Sequence, residues 1–317
     1  MLALSLDMGG THIGCGVVQD HKLLAQAAIS SEDARSFAPL LPAVAKTLHS
    51  LLAEAGIAAQ DCSGLAIGFP GIVNVRDNTI YSTLKKYEDA PQLDLGSWSY
   101  DTFGLPLRIE NDARMALLGE RFGGAARDAH NIVMMTLGTG LGSAVMIQDQ
   151  LLRGSHSQAG CLGGHLPVDF RGRKCMCGNV GCAESEASGW SMPVVAREFT
   201  DFAESSLAKL RHIGFLELFA HADAGDAVAV AVRSHCLEVW SANAVALIHA
   251  YDPELIIMGG GVMRRADLIV PYVQRHVNEH AWSSWGKPLI RSAELGNLAA
   301  IMGAVPLLAE DIHAAKI

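Results

Sequence analysis

His165, Cys175, Cys177 and Cys182 fall within GHLPVDFRGRKCMCGNVGCAE, the run from Gly164 to Glu184. One imidazole and three thiols in a polar, glycine-rich stretch make the ligand set of a closed tetrahedral Zn²⁺ site. Closure leaves no open coordination position, so the metal would be structural. A redox pair fits less well, because the motif is C-x-C and not C-x-x-C within a βαβ unit. Packing of the thiols as small hydrophobes fits poorly with neighbours such as Arg171, Arg173, Lys174 and Asn179. Cys15, Cys62 and Cys236 lie in apolar surroundings and read as inert core thiols.

Two glycine-rich turns offer a second chemistry. DMGGTHIG sets Asp7 at the end of a strand, before Gly9, Gly10 and Thr11, and LGTGLGS sets Gly138, Thr139 and Gly140 in the same way without the acid. Free N–H groups in such turns form concavities for phosphate oxygens, and a carboxylate beside them can hold Mg²⁺ through water. Tight hairpins need glycine in any protein, so either turn alone says little. The pair, joined by Gly260 and Gly261 at the end of the strand in LIIMGGGV, points to a nucleotide. Neither turn fits GxxxxGK[ST] or GxGxxG. In IENDARM, Asp112 stands on a strand-to-helix turn, where it could cap the helix or accept a hydroxyl proton. Asn111 offers an equally good cap and would leave Asp112 free.

The elements that must position these groups follow from apolar runs and their punctuation. LALSLDMGGTHIGCGVVQDHKLLAQ reads as three strands around Gly9-Gly10 and Gln19-Asp20, and the same grammar returns 129 residues later in IVMMTLGTGLGSAVMIQDQLL. This predicts an internal duplication. Between the copies lie a helix candidate from Phe37 to Ala55, a buried strand CSGLAIGFPG, a polar segment, the strand LRIE and a helix stopped by Gly123-Gly124. A helix from Asp226 to Ala250, the strand ELIIMGGG, a helix from Arg265 to Glu279 and a closing helix LAAIMGAVPLLAEDI follow. Alternating strands and helices around two hairpins predict an α/β protein of two similar domains, with a hinge near Asp112 and the last helix crossing back to the first.

Composition narrows the function further. The chain has 317 residues and is 50% hydrophobic, enough for a sizeable core in each domain. Seven cysteines is an odd count, whereas secreted disulfide frameworks favour short chains and even numbers. A net charge of -9 without a Lys/Arg run argues against nucleic acid. The N-terminus lacks the basic flank and long apolar core of a signal peptide, and NIVMMTLGTGLGSAVMIQ is too broken for a membrane span. A soluble cytoplasmic protein acting on small molecules is expected.

Together these motifs resemble the ROK family of sugar kinases and sugar-responsive repressors, within the actin-like ATPase fold, over nearly the whole chain. The resemblance implies two actin-like ATPase domains with a ligand cleft between them and a zinc-stapled loop. Residues 1–112 would form a small domain closed by the C-terminal helix 298–317, and residues 113–297 a larger domain carrying the zinc loop. It further implies that the two hairpins hold the phosphates of ATP with Mg²⁺, and that GGGV lies near the adenosine. Asp112 would be the general base and Asn111 a sugar contact, with Gly71 of GFPG beside the sugar. Glu184 would accept bonds from sugar hydroxyls, and His165 would serve both zinc and sugar. The implied reaction is ATP-dependent phosphorylation of a hexose or hexose derivative at a primary hydroxyl, the 6-OH, in a homodimer.

Family repressors carry an N-terminal helix-turn-helix, for which a first hairpin within the first dozen residues leaves no room. A sugar sensor that keeps the fold without catalysis is the alternative, and an intact Asp112 argues against it. One departure stands out. Where the family commonly has a sugar-binding Glu in E-x-G-H, this chain reads AGCLGGHL, with Cys161 or Leu162 at that place and an extra glycine. Preference is therefore expected to move away from plain glucose, toward a sugar differing near C1 to C3; the alternative is that the extra glycine re-aims the loop so that Glu184 or Glu186 fills the gap and restores glucose.

Overall fold

The computed structural model describes residues 1–83 and 86–310, which divide into two compact units. In the first, β1 (Leu2–Met8), β2 (His12–Gln19) and β3 (Lys22–Ser30) form an antiparallel meander. After α1 (Leu41–Ala55), β4 (Leu65–Phe69) adds parallel to β1. A small hairpin, β5 (Gly71–Asn74) and β6 (Thr79–Thr83), and the helix α2 (Leu95–Phe103) precede β7 (Leu107–Asn111), which adds parallel to β4. The order β3-β2-β1-β4-β7 buries Leu4, Leu6 and Ile67 with Val44 and Leu48 of α1 in one core. Strands apolar on both sides suit a sheet covered on both faces.

α3 (Asp112–Gly123) then leads to the second unit, with β8 (Ile132–Leu137), β9 (Leu141–Ile147) and β10 (Gln150–Leu151). A loop region carries α4 (Ala183–Ala187) and α5 (Met192–Arg197), followed by α6 (Phe215–Asp223) and α7 (Ala227–Tyr251). β11 (Leu255–Gly259), α8 (Ala266–His280) and β12 (Leu289–Ser292) complete a sheet of order β10-β9-β8-β11-β12. An antiparallel β8–β9 pair is extended by parallel β11 and β12, as β1 and β2 are by β4 and β7.

The predicted duplication is therefore present in the topology, and Asp20 and Asp149 both turn their hairpins in the left-handed region, at φ 49° and 63°. The copies differ at the glycine turns. Met8 pairs with Ile13, whereas Leu137 pairs with Leu141, so the second turn is one residue tighter.

The first unit comprises Met1–Asp128, Leu151–Ala159 and the chain from Ala293 on, so α3 lies within it and does not open the second unit at residue 113. Two glycines explain the attachment. A Cβ on Gly119 of α3 would meet the carbonyl oxygen of Ala299 at 1.9 Å, and one on Gly303 would meet that of Met115 at 2.0 Å. Backbone touches backbone there, which only glycine permits. Gly303 also splits the expected closing helix into α9 (Ala299–Met302) and α10 (Ala304–Ala309), and its residues 311–317 lie outside the described part.

Candidate active site and metal centre

β1, β4 and β7 run parallel, and register carries Asp7 to Gly68 and Gly68 to Glu110 across the three strands. With no side chain at Gly68, where a Cβ would lie 3.6 Å from the Asp112 Cα, the carboxylates of Asp7 and Asp112 sense one another. Burial, then repulsion from Asp112, pushes Asp7 up to about 7. Burial also pushes Asp112 up to about 6, against the opposing N–H of Ala113 and the Asn111 amide. Asn111 is the helix cap: its Oδ1 accepts the Arg114 N–H at 3.2 Å, and its Nδ2 donates to the Gly71 carbonyl at 3.2 Å and to Asp112 Oδ1 at 3.0 Å. Asp112 Oδ1 also accepts the Ala113 N–H at 2.8 Å, while its Oδ2 has no protein hydrogen bond among the described residues.

Beneath this turn lies an ion network that sequence reasoning missed. Glu110, fully buried, accepts from Arg114 Nη1 at 3.3 Å, from Arg153 Nε at 2.7 Å and from the Asn111 N–H at 2.8 Å. Arg114 donates to the carbonyls of Ser157 and Ala159, and Arg153 reaches Glu310 at 3.0 Å. Buried charges persist only when paired and hydrogen-bonded, and here the pairing fixes the peptide that carries Asp112.

The first hairpin is closed by Gly9 N–H to the His12 carbonyl at 2.9 Å and held from outside by Tyr87, whose hydroxyl donates to the Gly9 carbonyl at 3.0 Å, and by Lys86, which donates to that of Gly10. Nothing in the motif's spacing marks Lys86 or Tyr87, which lie far along the chain. Asp7, Gly9, Thr11, Gln26 and Asn297 line a cavity of about 550 Å³ within this unit. That room and the carboxylate of Asp7 fit a hydrated divalent cation with phosphate.

The second hairpin, Gly138–Thr139–Gly140, is closed by Gly138 N–H to the Gly140 carbonyl at 3.0 Å. Gly189 N–H and Trp190 N–H bond the carbonyls of Gly138 and Thr139 at 2.9 and 3.1 Å. Glu184, 6% exposed, accepts the Leu141 N–H at 3.0 Å through Oε2 and the Trp190 indole N–H at 3.3 Å through Oε1. Gly260 ends β11 at φ 92°, its absent Cβ 2.3 Å from the Leu137 carbonyl oxygen, and Gly261 faces open space.

The four metal-ligand candidates converge. The ligand atoms of His165, Cys175, Cys177 and Cys182 all lie within 4.8 Å of one another, with His165 Nδ1 3.6 Å from the Cys175 sulfur and the Cys177 and Cys182 sulfurs 3.7 Å apart. Tetrahedral Zn²⁺ with bonds of about 2.3 Å to sulfur and about 2.0 Å to nitrogen sets edges of roughly 3.5 to 3.8 Å. The group therefore fits. Glycine builds the knuckle: Gly178 N–H returns to the Cys175 carbonyl, and Gly178 and Gly181 take φ of 95° and 67°. Burial pushes the remote thiols of Cys15 and Cys62 up to about 12 and about 11, as expected for inert core groups.

Duplicated α/β units, paired glycine hairpins and a Cys₃His cluster together define the class of protein by its fold and site. The ROK family profile matches residues 3–311, and the chain belongs to the ROK family. It is similar to the glucokinase of Thermotoga maritima, 28% identical over 316 residues and 98% of each chain. Among solved structures it resembles a ROK family glucokinase from Streptomyces griseus in complex with glucose and AMPPNP, at a TM-score of 0.79 and 27% identity over 97% of this chain and 99% of that one. It also matches the xylose repressor of Bacillus spizizenii, 24% identical over 78% of this chain and 61% of that protein. Among the described residues, no helix is long and apolar enough to cross a membrane.

Proposed function

We propose that this protein is a sugar kinase that transfers the γ-phosphoryl group of Mg²⁺–ATP to a primary hydroxyl, the 6-OH, of a hexose or hexose derivative. Asp112 accepts the hydroxyl proton as the sugar oxygen bonds to the γ-phosphorus and the bond to the β–γ bridging oxygen breaks, releasing ADP. N–H groups of the two hairpins offset charge on the transferred group, and Asp7 helps hold the cation through water. Asn111, Gly71, His165 and Glu184 contact the sugar. A cytoplasmic homodimer belongs to the same reading.

The observation that carries this reading is Asp112 at the end of β7, with Oδ2 free and its pKa pushed up to about 6. Such a carboxylate is ionised at neutral pH yet basic enough to share a proton. Because the base must be ionised, kcat/KM should fall as pH drops through about 6, and a flat profile from roughly pH 5 to 8 would count against this role. Correlated phosphorus and proton NMR of the product tests the position: coupling of phosphorus to the C6 protons is expected, and coupling elsewhere overturns the 6-OH.

The AGCLGGHL departure bears on the substrate. Glu186 cannot replace the missing carboxylate, since Arg173 holds it through its backbone N–H at 2.6 Å and its guanidinium. Each oxygen of Glu184 already accepts one bond, so what acceptor capacity it keeps serves its own sugar contact and does not replace a second carboxylate. A sugar hydroxyl desolvated without an acceptor costs about 1 to 3 kcal/mol, which shifts preference by roughly tenfold to a hundredfold. A sugar differing from glucose near C1 to C3, such as an epimer, a ketose or a 2-acetamido sugar, should show the higher kcat/KM in a hexose panel. Glucose ranking first by tenfold or more would refute this. The second reading, a sugar sensor without catalysis, is favoured by the same Cys161 and by the similarity to a xylose repressor. Sugar binding with no turnover would establish it.

A further inference from the structure

We propose that the Cys₃His site and the second phosphate hairpin are mechanically coupled through Leu141, so that the metal and the nucleotide raise each other's affinity. This rests on the kinase reading above and extends the role of zinc beyond the sugar.

Both flanks of the metal site grip the residue that closes the hairpin. On one flank Cys182 is the N-cap of α4, and two residues later Glu184 accepts the Leu141 N–H at 3.0 Å. The same Oε2 would lie 2.8 Å from a Cβ on Gly140, so the carboxylate lies directly against the turn. Beyond α4, Gly189 and Trp190 bond the carbonyls of Gly138 and Thr139, and the Trp190 indole returns to Glu184. On the other flank, the turn Gly163–His165 packs so tightly on the hairpin that a Cβ on Gly164 would meet the Leu141 carbonyl oxygen at 1.8 Å. Gly163, two residues before ligand His165, has its N–H fixed to the Ser143 hydroxyl at 2.7 Å.

α4 is five residues long and has no intrinsic stability at that length. Its anchors are Cys182 at one end and the Trp190 region at the other, with the Ala187 carbonyl pinned by the Trp240 indole at 2.9 Å. Drawing His165 and Cys182 to one ion therefore sets both walls against Leu141. The N–H groups of Thr139 and Gly140 are then preorganised for phosphate, and ordering them in advance removes that cost from nucleotide binding. A role confined to the sugar wall would leave nucleotide affinity independent of the metal.

The test measures binding of Mg²⁺–AMPPNP by calorimetry without sugar, on zinc-loaded and chelator-stripped full-length protein. Stripping should weaken AMPPNP by about tenfold, within the usual range of coupling. Reciprocity requires that saturating AMPPNP strengthen zinc retention against a competing chelator by the same factor, and this arm holds even if the stripped protein partly unfolds. In zinc-loaded protein, Glu184→Ala should weaken AMPPNP and abolish the effect of AMPPNP on zinc retention. Equal AMPPNP affinities, or zinc retention unmoved by AMPPNP, overturn the coupling and leave the kinase reading intact. Zinc-loaded wild type that binds no AMPPNP sinks the kinase reading itself.

Discussion

Asp112→Asn should lower kcat by roughly 10² to 10⁴-fold, the range for loss of a positioned general base, while AMPPNP affinity and the fold persist. Retention of the fold follows from the local bonds. An asparagine oxygen can still accept the Ala113 N–H that Asp112 takes at 2.8 Å, and Asn111 still caps α3 through the Arg114 N–H. The change also removes a like charge that helps push Asp7 up to about 7, so the variant should be no less stable than the wild type at neutral pH. Residual activity should lose the inflection near pH 6. Steady-state kinetics beside a thermal melt check all of this, and near-normal turnover would remove Asp112 from the mechanism.

Loss of the metal should have the second large effect. The loop from Pro167 to Gly181 has little core of its own: Phe170 is 80% exposed, and its backbone is tied by isolated bridges at Pro167–Cys182 and Lys174–Val180. Structural zinc in small domains supplies apparent binding free energies of ~10–16 kcal/mol, and without it the thiols of Cys175, Cys177 and Cys182 have only weak mutual contacts to hold the loop. Protein purified without chelator should carry one zinc per chain by elemental analysis. Cys177→Ser should bind zinc more weakly, raise the KM for sugar, and expose Arg171, Arg173 and Lys174 to trypsin. A stoichiometry near zero, or a loop equally resistant with and without chelator, would defeat the assignment.

What was legible in the sequence tracks how local each signal is. The Cys₃His set could be read directly, because its four ligands lie between residues 165 and 182. The long helix α7 was legible because Asp226 caps it, accepting the Ala229 N–H at 3.0 Å. α1 starts at Leu41 and not at Phe37, because the prolines at 39 and 42 each fit a first turn and not a helix interior: Pro39 lies in a short 3₁₀ turn, Ala38–Leu40, and Pro42 in the first turn of α1.

The stretch read only as polar holds the β5–β6 hairpin and α2. Its signals were faint: Asn78 at φ 51°, and Asp94 capping through the Ser97 N–H at 2.9 Å. Likewise α6 and β12 went unmarked. The Glu110–Arg114–Arg153–Glu310 network was illegible for a different reason. One bonded pair alone, Arg153–Glu310, spans 157 residues, and lone charges in a sequence read as surface until a fold buries them. Glu184 shows the same limit, since its tie to Leu141 spans 43 residues and only the structure sets it against a hairpin.

Sugar-dependent release of ADP from ATP tests the central claim most directly. With zinc-loaded protein, Mg²⁺–ATP and a panel of hexoses, ADP release should require the sugar, saturate with it, equal the sugar phosphate formed and all but disappear in Asp112→Asn. Sugar binding without ADP release for every hexose, or ADP release indifferent to sugar, would contradict it.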